Sequence, residues 1–221
     1  MNKFKVHNKN RLSKTHNKKN NINLMKKSEK NLLKTINQNL AVHKKLFKIS
    51  KKIGQVIDLF STGLNNNKTI YICGNGGSAS DSEHLSTEFL VRLNSKVNRR
   101  PFKMVNLGMN LSYITACSND YSFENVFSRS LEALANPGDI LWVISTSGDS
   151  KNIKKALISA KKLKLRTVGF YGKSGGISKK FTEYPILVDS NVTARIQECH
   201  IFLGHFILEK VEDQLIKKIK A

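Results

Sequence analysis

Residues Gly74-Asn75-Gly76-Gly77-Ser78-Ala79-Ser80-Asp81-Ser82-Glu83-His84 follow directly on the apolar run Thr69-Ile70-Tyr71-Ile72-Cys73. A buried strand that ends in a glycine turn and opens a helix with small hydroxyl residues gathers unpaired backbone N–H groups at one spot. The positive end of the helix dipole points there too, which suits a phosphate. His84, Glu88 and Arg92 follow at intervals of four, so a helix would place them on one face. His and Glu at that spacing can share a metal ion or work as an acid–base pair. For the pair alone, a surface ion pair is the simpler reading. Its place just after the glycine turn favours chemistry on a phosphorylated small molecule.

A second junction, Ile144-Ser145-Thr146-Ser147-Gly148-Asp149-Ser150, has the same form. N-capping needs only one serine. Four hydroxyls around a glycine can instead supply several donors to the three oxygens of a phosphate. The first junction lacks the Lys and Ser/Thr pair of a nucleotide P-loop. Gly74, Gly76 and Ala79 approach the dinucleotide fingerprint, but no acid lies between Glu88 and Asp120 to hold a ribose. ATP and NAD are therefore set aside.

These junctions sit in a chain where strand and helix signals alternate from Thr69 onward. Strands are expected over 69–73, 102–107, 140–144, 167–171 and 185–188. Helices are expected over 78–93, 112–117, 123–135, 150–163 and 193–220, with a short helix or loop at 174–180. The fold class is α/β, a doubly wound parallel sheet flanked by helices. Before it, apolar residues from Leu32 to Phe60 recur at helical spacing and predict a long N-terminal helical region that packs on the core or on another subunit.

Of the net charge of +22, +9 lies at one end: residues 1–27 hold nine Lys or Arg and no acid. That segment is expected to be a disordered basic extension, leaving 28–221 as the domain. Lysines elsewhere fall on polar helix faces, so a solvated surface is favoured over a polyanion-binding one. No apolar run approaches the ~20 residues of a membrane span. Cys73, Cys117 and Cys199 are scattered in apolar segments, as expected for buried thiols in a reducing compartment.

Taken together, Gly74 to His84, Ser145 to Ser150 and Arg195-Ile196-Gln197-Glu198 resemble the sugar isomerase (SIS) domain and, within it, the phosphoheptose isomerases. The resemblance runs from about Ser28 to the C-terminus. It implies a five-stranded parallel sheet, a cytoplasmic homotetramer with interfacial active sites, and one zinc per site. The partners it implies are the phosphorylated sugar and further copies of the chain. The charge distribution and the lack of a span separately argue against a nucleic acid and a membrane, with a polyanion-binding role left open only for the basic tail. The implied reaction converts sedoheptulose 7-phosphate to D-glycero-D-manno-heptose 7-phosphate through an enediolate, feeding nucleotide-activated heptose for lipopolysaccharide or capsule.

By position, the resemblance places Asn75, Gly76, Gly77 and Ser78 at the sugar, with Asn119 and Asp120 as a second contacting pair. Ser145, Thr146, Ser147 and Ser150 fall at the phosphate, and Arg92 in the site. His84, Glu88, Gln197 and His205 match the metal ligands, with Glu88 and Gln197 also touching substrate. Glu88 and His205 match the acid–base pair. On one straight helix Gln197 and His205 would stand ~12 Å apart. Either the helix starts irregularly or the two act in different subunits, and the shared interface is favoured. His200 lies nearby and is given no role.

Glu83 stands where Gln is common in the family, and Ala194 where some members have Asp. Both bear on which sugar is preferred. One rival is a non-enzymatic SIS protein similar to the DnaA initiator-associating protein. Such relatives tend to lose the Glu and final His that are kept here. The other rival is an isomerase of a different sugar phosphate.

Overall fold

The computed structural model describes residues 4–108 and 110–220, with side chains over 25–108 and 110–216. The basic extension expected over 1–27 therefore falls mostly outside the described side chains. The backbone of residues 4–27 forms part of α1 (Phe4–Leu46). Contacts divide the chain after Ala41. In the first unit Leu32, Leu33, Ile36 and Leu40 are all exposed.

The second unit carries the α/β fold. A 3-10 turn at Phe47–Ile49 separates α1 from α2 (Ser50–Asn65), so the expected long helical region is two helices. Then follow β1 (Ile70–Gly74), α3 (Gly77–Leu90), β2 (Met104–Asn106), α4 (Leu111–Asp120), α5 (Val126–Leu134) and β3 (Ile140–Ser145). The chain closes with α6 (Lys151–Lys162), β4 (Arg166–Tyr171), β5 (Tyr184–Leu187) and α7 (Thr193–Lys220). All five strands run parallel in the order β2-β1-β3-β4-β5.

Both faces of the sheet are covered, and successive strand residues alternate between two cores. Ile70, Ile72, Trp142, Ile144, Val168 and Phe170 pack with α2, α3 and α7. Tyr71, Cys73, Leu141, Val143 and Tyr171 pack with α4, α5 and α6. This explains why β1 and β3 read as unbroken apolar runs: every residue in them is buried. All three cysteines are free and buried. Among the described residues, no helix is long and apolar enough to cross a membrane.

Candidate active site

The strand order fixes where a ligand belongs. From β1 the chain steps outward to β2, then returns past β1 to β3 and continues the other way through β4 and β5. The direction reverses between β1 and β3, and in open α/β sheets ligands sit outside the carboxyl ends of the strands at that point. Gly74 and Ile144 are register partners there, so both junctions open side by side.

At the first junction the turn is tight. A Cβ on Gly74 would lie 2.4 Å from the Ser78 carbonyl oxygen, and Gly76 caps α3 with φ +55. Asn75 exchanges two amide hydrogen bonds, each 2.9 Å, with Asn152 in the first turn of α6. This reciprocal pair ties one junction to the other. Asn152 is buried, as is Ser78 beneath the turn.

The second junction is held from behind. Ser145 Oγ accepts from the Gly148 N–H at 3.1 Å, and Ser147 Oγ from the Asp149 N–H at 3.2 Å. The loop after β4 closes onto them. Gly172 N–H donates to the Thr146 carbonyl, Ser178 N–H to the Gly148 carbonyl, and Ile177 N–H to Asp149 Oδ1. Gly148 has φ +73, and a Cβ there would lie 2.1 Å from the Gly175 carbonyl oxygen. Ser150 occupies the N-cap of α6, yet its side chain makes no capping bond. Its hydroxyl is therefore not committed to N-capping.

Beside these loops, α3 and α7 bring His84, Glu88 and His205 together. The Nε2 atoms of His84 and His205 are 2.7 Å apart, and Glu88 Oε1 is 3.5 Å from His84 Nε2. One ligand atom from each of the three lies within 4.8 Å of the others. Two imidazoles and a carboxylate are the donor set of a zinc site that keeps a position open. Burial, and then the neighbouring His84, pull the His205 imidazole below its ordinary range, against the opposing pull of Glu88. Neutral imidazole is the form that binds a metal. Asp81, one turn before His84, is pushed up by burial, with His84 opposing.

Gln197 does not join this cluster within one chain. The helix is regular from Thr193, which removes the irregular start. Gln197 packs at the beginning of α3, where its Nε2 would lie 2.5 Å from a Cβ on Gly77. Helices α3 and α7 therefore run parallel, with Gly77 near Gln197 and His84 near His205. Arg92 is not in line with His84 and Glu88. The helix ends at Leu90, and Arg92 is exposed beyond it. Asn119 and Asp120 end α4, exposed and bonded to each other at 2.9 Å. Asn152, Asp149 and the 172–178 loop escaped the sequence reading. The repeated glycines at 172, 175 and 176 were the available signal for the loop.

Comparison with known proteins agrees with this geometry. The SIS domain family model matches residues 35–172. A phosphoheptose isomerase of Crocosphaera subtropica is 48% identical over 166 residues, 75% of this chain and 82% of its own length. The chain belongs to the phosphoheptose isomerases of the SIS domain family. Another member of this family, from Campylobacter concisus, is 41% identical over 82% of this chain and 98% of its own length. Among solved structures, the phosphoheptose isomerase of Neisseria gonorrhoeae superposes with TM-score 0.78 at 30% identity, covering 84% of this chain and 98% of its own. The Francisella tularensis enzyme superposes with TM-score 0.80 at 27% identity, over the same shares of the two chains.

Proposed function

We infer that this chain is an aldose–ketose isomerase that converts sedoheptulose 7-phosphate to D-glycero-D-manno-heptose 7-phosphate. The observation that carries this reading is the convergence of His84, Glu88 and His205 beside two phosphate-type junctions, in a chain of the phosphoheptose isomerase family. Retention of Glu88 and His205 in one cluster favours the enzyme over a non-catalytic SIS binding protein.

The chemistry asks little of the fold beyond placement. The proton on C1 of the ketose must leave, and a proton must arrive at C2, with the enediolate between them. Glu88 and His205 are the acid–base pair: one takes and returns the carbon-bound proton while the other serves the oxygens. The hydroxyls of Ser145, Thr146, Ser147 and Ser150 and the N-terminus of α6 hold the phosphate. Asn75, Gly76, Gly77 and Ser78 line the sugar in this reading, and Asn119, Asp120 and Arg92 are assigned to it by family position rather than by contact within the single chain. His84, Glu88 and His205 would hold zinc, with Gln197. Bound there, zinc supplies a Lewis acid for the charge that develops on oxygen.

Because Gln197 lies at the other end of the α3–α7 contact, a second copy supplies it in this reading. The surface beside His205 supports self-association. Phe47, Phe202 and Phe206 are 83%, 49% and 38% exposed and border an apolar groove of about 600 Å³ with Leu46, Ile53 and Ile57. The proposed assembly is a cytoplasmic homotetramer. Turnover in deuterated water tests the reaction class. Solvent deuterium at C2 of the product is expected from an enediolate, and product free of deuterium under slow turnover would argue for direct hydride transfer.

A further inference from the structure

A buried cation joins the two helices that carry the cluster. Arg99 lies in the irregular stretch between α3 and β2, yet its side chain is 2% exposed. Its Nε donates to the carboxylate of Glu212, which is 3% exposed. Nη2 donates to the Glu88 carbonyl at 3.0 Å, and Nη1 to the carbonyls of Phe89 at 3.1 Å and Arg100 at 3.0 Å. The guanidinium carbon stands 4.2 Å from the centre of the Phe102 ring. Only a planar fork fills these roles together, and a lysine ammonium cannot.

The partners of this fork are the parts of the site. The carbonyls of Glu88 and Phe89 belong to the last turn of α3, where no helical N–H reaches them and a cation offsets the dipole. Glu212 is seven residues beyond His205, two turns on, and so on the same face of α7. Closer to the start of the helices, α3 and α7 touch directly: a Cβ on Gly204 would lie 2.6 Å from Leu85. Arg99 and Glu212 close the far end of that contact, fixing the backbone of Glu88 itself. Stability alone does not require charges here, because a buried ion pair can often be replaced by apolar residues without loss.

We propose that Arg99, with Glu212, is a positioning residue that holds the last turn of α3 against α7, so that His84 and Glu88 meet His205 at metal-binding distance. This rests on the zinc-isomerase reading of the cluster.

The test is titration of Co²⁺ into the metal-stripped full-length protein, followed by visible absorption, with turnover measured in parallel. Arg99→Lys, Glu212→Gln and the double variant Arg99→Met/Glu212→Met are compared with wild type. The single variants are expected to bind Co²⁺ about 10-fold or more weakly, with kcat reduced and KM for the sugar phosphate little changed. The double variant, which buries no charge, is expected to keep its Tm and still bind Co²⁺ weakly. It carries the test if the single variants do not fold. A double variant with wild-type Co²⁺ affinity overturns the positioning role, as do folded single variants with that affinity. A wild type that neither binds Co²⁺ nor turns over removes the proposed function, and this role falls with it.

Discussion

Acid should destabilise this fold through His200, a residue outside the proposed chemistry. His200 is fully buried on α7, and among the described residues neither ring nitrogen finds a hydrogen-bond partner at normal geometry. Its ring packs against Phe170, with centroids 5.7 Å apart. Burial lowers its pKa from 6.5 to about 4, against an opposing contribution from the Tyr171 backbone. The folded value lies below the unfolded one. Between about pH 6.5 and 4 the unfolded chain therefore holds more protons, and stability rises with pH. The stabilisation from keeping the ring neutral is complete above pH 6.5 and is lost as pH falls. Linkage between these two values gives a loss of about 2 kcal/mol between pH 7.5 and 5.0. The perturbation is His200→Leu, which removes the titrating ring. Urea unfolding of both proteins at fixed protein concentration gives the difference in stability at each pH. That difference should move by about 2 kcal/mol in favour of the variant from pH 7.5 to 5.0. A difference independent of pH, or one that moves toward wild type, would refute the reasoning.

Other consequences are as direct. Glu88→Gln and His205→Gln should fold and assemble but lose turnover by about 100-fold or more, read as kcat with sedoheptulose 7-phosphate beside a circular dichroism melt. Gly148→Ala forces a left-handed backbone on a side chain that meets the Gly175 carbonyl. Urea unfolding should show at least about 1–2 kcal/mol of lost stability, and initial rates a raised KM for the phosphorylated sugar. Deletion of residues 1–24, which precede the SIS match at residue 35, should leave kcat and KM unchanged. A large loss of activity in an intact oligomer would give the extension a role.

The fold was legible because its signals are local. Continuous apolar runs at β1 and β3 imply a sheet covered on both faces, and the glycine- and serine-rich turns after them mark the switch point. The i, i+4 spacing of His84 and Glu88 survives as a short contact. What escaped was set by tertiary contact. Arg92 continues the same spacing on paper, but α3 stops at Leu90, where Arg99 folds back onto its last carbonyls. Nothing near residue 99 in the sequence names Glu212 as its partner, 113 residues away. Asn152 looks like an ordinary residue in a first helical turn until Asn75 is found across from it. The apolar stripe expected over 32–60 divides for the same reason. Ile53, Val56, Ile57 and Phe60 are in the core, while Leu32, Leu33, Ile36 and Leu40 are exposed.

The central claim is a metal-dependent isomerase built on His84, Glu88 and His205. Its most direct test is a coupled assay of the assembled, chelator-stripped protein with sedoheptulose 7-phosphate, before and after one equivalent of zinc per chain. The account predicts negligible turnover when stripped and recovery on zinc addition, with no recovery in His84→Ala. Full turnover by the stripped protein, or none with any divalent metal in an intact oligomer, would contradict it.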